Sequence, residues 1–283
     1  MENAGLILEG GGMKGVYTAG VLDYFLEKDL MFSSCYGVSA GACCMASYIA
    51  KQKKRAYRVM TEYLDDKRYM GLYSLLTTGD LFNATTSYKL IPDYLYPLDE
   101  ETYNSYEGKA YAVVTNLVTG RPEYMRIKDA RKEITAIQAS ASLPLVSRNV
   151  MINDTPYLDG GISDSIPIKR SVRDGNKKNV VILTKDKDFV RKPTGNVLLF
   201  QLRYAKYPKV AQLMKNRHFE YNDSMEYIKE KEEKGEVFVF RPSKSLPISR
   251  TEKDVDKLKE LYELGYADAQ ASYDKLMEYL RKE

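Results

Sequence analysis

The sequence is short of the residues on which many binding sites depend. It has one histidine, His218, three cysteines and no tryptophan. Cys35, Cys43 and Cys44 are odd in number and two are adjacent, which makes no disulfide framework. With no CxxC and no Cys/His cluster there is no zinc pattern. Buried free thiols in a reducing compartment are expected, with no metal and no cofactor. A long apolar run is also missing. The weakly polar stretch 37–50 has 14 residues, whereas a membrane-crossing helix needs ~20. Met1-Glu2-Asn3 and the brief apolar run 5–8 have no secretory-signal character, so a cytoplasmic protein is expected. Charge of one sign is scarce as well: 43 Lys and Arg against 39 Asp and Glu leave +4, too little to point to nucleic acid as a partner. What remains is 283 residues with 44% apolar and 29% charged, the profile of a soluble globular chain of one large domain or two modest ones. The 24 tyrosines suggest no function by themselves.

The first forty residues read as strand, turn, helix, strand, turn. An apolar run at 5–9 stops in Gly10-Gly11-Gly12, and 16–28 carries Val16, Ala19, Leu22 and Leu26 at helical spacing. A second run at 35–38 leads through Ser39-Ala40-Gly41 into a small-residue helix ending near Ala50. This is the opening of an α/β sheet with helices packed on it. Further strands are expected at 110–115, 123–127, 150–158, 180–184 and 237–240. The Tyr-, Leu- and Met-rich stretch 58–100 has weak periodicity and reads either as more core or as a cap over an apolar pocket. From 221 to 283 there are 12 basic and 15 acidic residues. Amphipathic spacing on either side of Gly265 predicts two C-terminal helices there. The expected organisation is a main domain over 1–220 with a mainly helical appendage over 221–283 docked on it.

Three motifs carry chemistry. In Gly10-Gly11-Gly12-Met13-Lys14-Gly15, between strand and helix, successive glycines turn the chain sharply and leave N–H groups unshielded. With a helix N-terminus behind them, these donors suit a phosphate, or the oxyanion of an attacked carbonyl. Gly37-Val38-Ser39-Ala40-Gly41 is a G-x-S-x-G between strand and helix, the context of a nucleophile elbow. Asp159-Gly160-Gly161 ends a strand-like run; its carboxylate reads either as a partner for the serine or as part of a plain Asp-Gly turn.

Taken together, G-G-G-x-K-G, then G-x-S-x-G with Gly12 and Gly37 25 residues apart, then D-G-G, resemble the patatin-like phospholipases. Ala139-Ser140-Ala141-Ser142-Leu143-Pro144 is similar to that family's Ala/Ser-rich segment ending in proline. The resemblance covers roughly residues 5–185. It implies a three-layer α/β/α sandwich around a mostly parallel sheet, here followed by C-terminal helices. It also implies a serine acyl hydrolase cleaving carboxylic esters of phospholipids or related lipids, with Ser39 as nucleophile and Asp159 as its dyad partner. Amides of Gly10, Gly11, Gly12 and Met13 would form the oxyanion hole, supported by Lys14, Gly15, Gly37, Gly41, Gly160 and Gly161. The implied partner is a lipid or acyl-ester substrate. Glu9 stands where many members have aspartate. Leu145-Val146-Ser147 follows Pro144 where plant-type members have an aromatic residue, which bears on the shape of the acyl site.

Alternatives remain open at this level. Ser39, Asp159 and His218 follow the chain order of an α/β-hydrolase triad, although His218 lies in a polar helical stretch rather than on a loop. An acyltransferase or a soluble-ester esterase would use the same machinery, and a non-catalytic acyl-binding protein the same pocket. Gly10-x-Gly12-x-x-Gly15 also satisfies a dinucleotide-binding turn, but the second strand ends in Ser39-Ala40-Gly41, with no carboxylate for a ribose. A P-loop fails because Gly15 follows Lys14. The basic cluster Lys51, Lys53, Lys54, Arg55 and Arg58 reads as helix-end pairing or as a peripheral contact with anionic membrane.

Overall fold

The computed structural model describes residues 1–282. Its strands are β1 (Glu2–Leu8), β2 (Phe32–Val38), β3 (Lys109–Asn116), β4 (Arg121–Arg126), β5 (Val150–Ile152), β6 (Thr155–Asp159), β7 (Asn179–Ile182) and β8 (Val237–Phe240). The helices are α1 (Gly15–Glu27), α2 (Ala40–Ile49), α3 (Arg55–Thr61), α4 (Leu72–Thr78), α5 (Glu100–Asn104), α6 (Ile134–Ser140), α7 (Ile168–Arg173), α8 (Val197–Arg203), α9 (Pro208–Glu233) and α10 (Val255–Arg281). The strands form one eight-stranded sheet whose centre, β3-β2-β1-β7-β8, is parallel throughout.

Strand alternation makes the layers. Leu6, Leu8, Val180 and Ile182 pack on one face with residues of α1, α2 and α10, while Ile7, Val181 and Leu183 pack on the other with Ile168 of α7 and Tyr221 and Ile228 of α9. Both faces are covered, so the central strands read as continuous apolar runs rather than alternating ones. The three-layer α/β arrangement expected from the sequence is the one found.

The register of β3 sets up the site. One edge of β3 is taken along its length by antiparallel β4. On the other edge β2 pairs up to Val38↔Val113, and β6 takes over at the next residue with Asp159↔Val114. The end of β2 and the end of β6 therefore meet on adjacent residues of a third strand.

Two expectations are corrected. The run 150–158 is not one strand but the β5–β6 hairpin, because Asn153 and Asp154 turn the chain with φ of 47° and 60°, values that Asn and Asp tolerate in a two-residue hairpin turn. The two helices placed around Gly265 are one, α10, which runs through that glycine. Gly265 is a contact point: a Cβ there would lie 2.2 Å from the Tyr17 carbonyl oxygen on α1. At Gly20 of α1 a Cβ would lie 2.1 Å from the Tyr262 carbonyl oxygen of α10. The two glycines let the helix backbones touch. Residues 221–283 thus supply the edge strand β8 and the face helix α10, and position 220 falls inside α9.

Candidate active site

Ser39 sits between β2 and α2 with φ 55° and ψ −125°, a conformation that a residue with a side chain adopts only when its surroundings impose it. A strained strand-to-helix turn of this kind has the geometry that a nucleophile elbow requires. Its N–H donates to Ser140 Oγ at 2.9 Å, and its carbonyl accepts from the N–H groups of Ala42 and Cys43. Gly37 and Gly41 allow the crossing, since a Cβ on Gly41 would lie 2.5 Å from the Leu8 carbonyl oxygen and one on Gly37 2.5 Å from Ala42 Cα.

Asp159 is buried beside it by the shared β3 edge. Its N–H donates to the Ser142 carbonyl at 2.8 Å, and its Oδ1 accepts from the Gly161 N–H at 2.7 Å. Oδ2 is buried and has no hydrogen-bond partner. Burial lifts the Asp159 pKa above its ordinary 3.8, against the opposing influence of the Ser39 hydroxyl, Arg217 and the Gly161 amide. The Ser39 hydroxyl lies close enough to the Asp159 carboxylate to favour its charged form, while Oδ2 has no fully formed hydrogen bond. Gly160 lies so close to β3 that a Cβ would meet the Val113 carbonyl oxygen at 2.1 Å.

The glycine loop abuts the serine. A Cβ on Gly10 would lie 2.9 Å from Ser39 Cβ, and one on Gly15 2.8 Å from Ala40 Cβ. Gly12 has φ +58°. Gly11 lies against Thr184. The amides of Gly11 and Gly12 have no acceptor among the described residues. The Met13 amide differs from the expectation: it donates to the Arg250 carbonyl at 3.0 Å and is already engaged. Lys14 is half-buried, with its pKa pushed down by burial. Just before the glycines, buried Glu9 accepts from the Thr184 N–H, the Thr184 hydroxyl and the Tyr221 hydroxyl, and Lys185 Nζ stands 3.7 Å away. It ties the loop to the end of β7 and to α9.

An internal space of about 140 Å³ runs from Ser39, Gly12 and Met13 between α2, α6 and the 58–100 stretch, with Cys43, Val59, Met60, Tyr88 and Ile137 in its wall. Both readings of the Tyr-rich stretch hold in part: Met60, Leu64, Tyr69, Met70 and Ile91 join the main core, and Val59, Met60 and Tyr88 also wall the apolar pocket. Burial pushes the Cys43 thiol up to about 11, so it is an inert wall group rather than a nucleophile.

Other candidates are not brought in. His218 makes no hydrogen bond to Ser39 or Asp159; its Nδ1 is buried without a partner and its ring lies against Phe219. The basic cluster is not one free patch. Lys53 pairs with Glu27, Arg58 with Glu62, and Arg55 is buried, donating to Ser47 Oγ and to the carbonyls of Tyr96 and Pro97. Among the described residues no three His, Cys, Asp or Glu side chains gather as a metal site, and no helix is long and apolar enough to cross a membrane. Ser140, Ser142, Glu9 and Arg217 were not singled out as site residues. Only the Ala/Ser-rich segment signalled the first two, as a motif without a role.

Comparison with known proteins agrees with this architecture. A model of a domain of unknown function, DUF6363, matches residues 207–281. An uncharacterised protein of Escherichia coli K12, YjjU, is 28% identical over 268 residues, covering 92% of this chain and 74% of that protein. The probable lipid hydrolase 463L of Invertebrate iridescent virus 6 is 24% identical over 190 residues, covering 62% of this chain and 65% of that protein. The crystal structure of VipD from Legionella pneumophila shares the fold with a TM-score of 0.52 at 13% identity, over 97% of this chain and 67% of that one. The model for patatin-like phospholipases matches residues 6–171, more than half of the sequence, which includes the glycine loop, the elbow and the Asp-Gly-Gly turn. On that match the chain belongs to the patatin-like phospholipase family of ester-hydrolysing enzymes.

Proposed function

We propose that this protein is a lipid acyl hydrolase working through a Ser39/Asp159 dyad. Ser39 Oγ attacks the ester carbonyl as its proton passes to Asp159 Oδ2. The tetrahedral oxyanion is held by the free amides of Gly11 and Gly12. It collapses to an acyl-Ser39, and the leaving alkoxide takes the proton from Asp159. Water then attacks the acyl group, giving its proton to Asp159, and the carboxylic acid departs as Ser39 regains its hydrogen. A neighbouring carboxylate whose pKa is raised by burial is a stronger base than an exposed one. The observation that carries this reading is the unpartnered Oδ2 beside a strained serine, both facing the end of one strand edge. The pocket supports an apolar acyl chain as the bound part of the substrate.

The test is covalent trapping. A fluorophosphonate should add once per chain, on the Ser39 peptide by mass spectrometry, and Ser39→Ala should take up none. Fatty acid release from phospholipid vesicles should be blocked in step with labelling. A folded protein that is not labelled at Ser39, or that is labelled there and still releases fatty acid, contradicts the proposal.

A further inference from the structure

The aspartate of the pair is held from outside the family-matched segment. Asp159 Oδ1 accepts from the Gly161 N–H at 2.7 Å. The carbonyl of that same glycine accepts twice, from Arg217 Nε of α9 at 2.6 Å and from Ser165 Oγ at 2.9 Å. A glycine gives a turn little stiffness of its own, so these donors fix the orientation of the residue that grips Oδ1. With Oδ1 taken, Oδ2 is the oxygen left to receive a proton.

Arg217 also reaches the carboxylate by charge. A Cβ on Gly161 would lie 3.0 Å from Asp159 Oδ1 and 3.2 Å from Arg217 Nη2, which places those two atoms within about 6 Å of each other. The arginine is half-buried, and among the described residues its side chain makes no other hydrogen bond and no salt bridge. Burial, then the nearby charges of Arg191 and Arg250, push its guanidinium down to about 9, which leaves it charged at pH 7. Around Asp159, burial disfavours the carboxylate, while the Ser39 hydroxyl, Arg217, the Gly161 amide and Arg250 favour it. The Cys43 thiol of α2 and the Tyr88 hydroxyl of the cap face it too, both kept neutral by burial.

We propose that Arg217 is a positioning residue of the hydrolytic site: it clamps the Gly161 turn so that Oδ2 faces Ser39, and it holds Asp159 as the carboxylate that accepts the serine proton. Helix α9, outside the family-matched segment, is thereby part of the catalytic apparatus. The inference rests on the Ser39/Asp159 reading above.

The test is the pH profile of p-nitrophenyl hexanoate hydrolysis, with the melting temperature of each variant recorded. Arg217→Gln should lower kcat about tenfold with KM within about twofold. It should also move the acid limb upward by about one pH unit, because an opposite charge within ~4–6 Å favours the ionised carboxyl. Arg217→Lys keeps the charge and should return the limb to its wild-type pH while kcat stays below wild type. Lys215→Gln, exposed on the same helix, should change neither. Wild-type kcat in Arg217→Gln overturns the proposal, and so does a lowered kcat with the limb unmoved, which marks a merely structural role. If Arg217→Gln fails to fold, Ser165→Ala decides: a kcat lowered about threefold, as for one neutral hydrogen bond to the clamped carbonyl, supports the clamp, and a wild-type kcat overturns it. If wild type neither cleaves the ester nor takes up fluorophosphonate, the hydrolase reading fails and melting still decides the role of Arg217. At pH 7 Asp159→Asn should then raise the melting temperature more in the Arg217→Gln background than in wild type, because the buried carboxylate has lost its cation. Equal gains in the two backgrounds overturn it.

Discussion

At the residue scale, the strain at Ser39 and the desolvation of Asp159 are two sides of one arrangement. Asp159 has a raised pKa because burial disfavours its charge, so the acid limb of the rate profile should lie above pH 3.8. The sign for stability follows: a folded-state carboxyl with a raised pKa loses stability as pH rises from 3.8 through its folded value. Asp159→Asn removes that loss, and at pH 7 it should melt about 2–4 °C higher than wild type, for ~1 kcal/mol in a chain of this size. The gain should vanish below pH 3.8. Calorimetry at the two pH values checks this, and an equal or lower melting temperature at pH 7 counts against the unpartnered Oδ2. Ser140→Ala strips the acceptor from the Ser39 amide and should lower kcat by about tenfold with little change in KM; a variant with wild-type kcat would show that Ser140 does not hold the elbow. Ser39, Asp159 and the glycines were legible because each belongs to a contiguous motif. Ser140, Glu9 and Arg217 were not, because their roles arise from contacts across 101, 175 and 56 positions of chain respectively.

At the element scale, the site depends on where strands stop. β2 and β6 divide one edge of β3 between Val113 and Val114, and no local pattern in the sequence encodes that handover. The strands themselves were readable from their apolar runs, but the β5–β6 turn was lost inside one such run because Asn153-Asp154 lacks a glycine. Gly265 misled for the opposite reason: read locally a glycine ends a helix, whereas here it is the surface on which α10 meets α1. Gly265→Ala should therefore melt lower than wild type, by about 4–8 °C, because a Cβ driven onto backbone puts the overpacking cost near ~3 kcal/mol, less the ~1 kcal/mol gained in helix propensity. An unchanged or higher melting temperature would mean that propensity dominates and the helices do not touch closely there.

At the scale of the whole molecule, the cap and the C-terminal third enclose the serine from two sides. Residues 58–100 close the apolar pocket, and α9 with the loop carrying Arg250 covers the glycine motifs. The family was legible in the first 171 residues. The enclosure was not, because the cap has weak periodicity and the later arginines lie in charged stretches that look like ordinary surface. A space of about 140 Å³ is close to the ~150 Å³ that accepts a six-carbon ring in an engineered cavity. Without movement of the cap, kcat/KM should rise about fourfold per methylene, at ~0.8 kcal/mol each, and level off near six carbons. Val59→Phe should move that plateau to shorter chains; a plateau unmoved by Val59→Phe would place the acyl chain elsewhere.

The central claim is that a serine and an aspartate suffice, without the single histidine. It is tested most directly by hydrolysis of p-nitrophenyl hexanoate with wild type, Ser39→Ala, Asp159→Asn and His218→Ala, each confirmed as folded. The account predicts that the first two substitutions lower kcat by at least ~10³-fold and that His218→Ala stays within about twofold of wild type. Full activity in Ser39→Ala or Asp159→Asn, or its loss in His218→Ala, would contradict it.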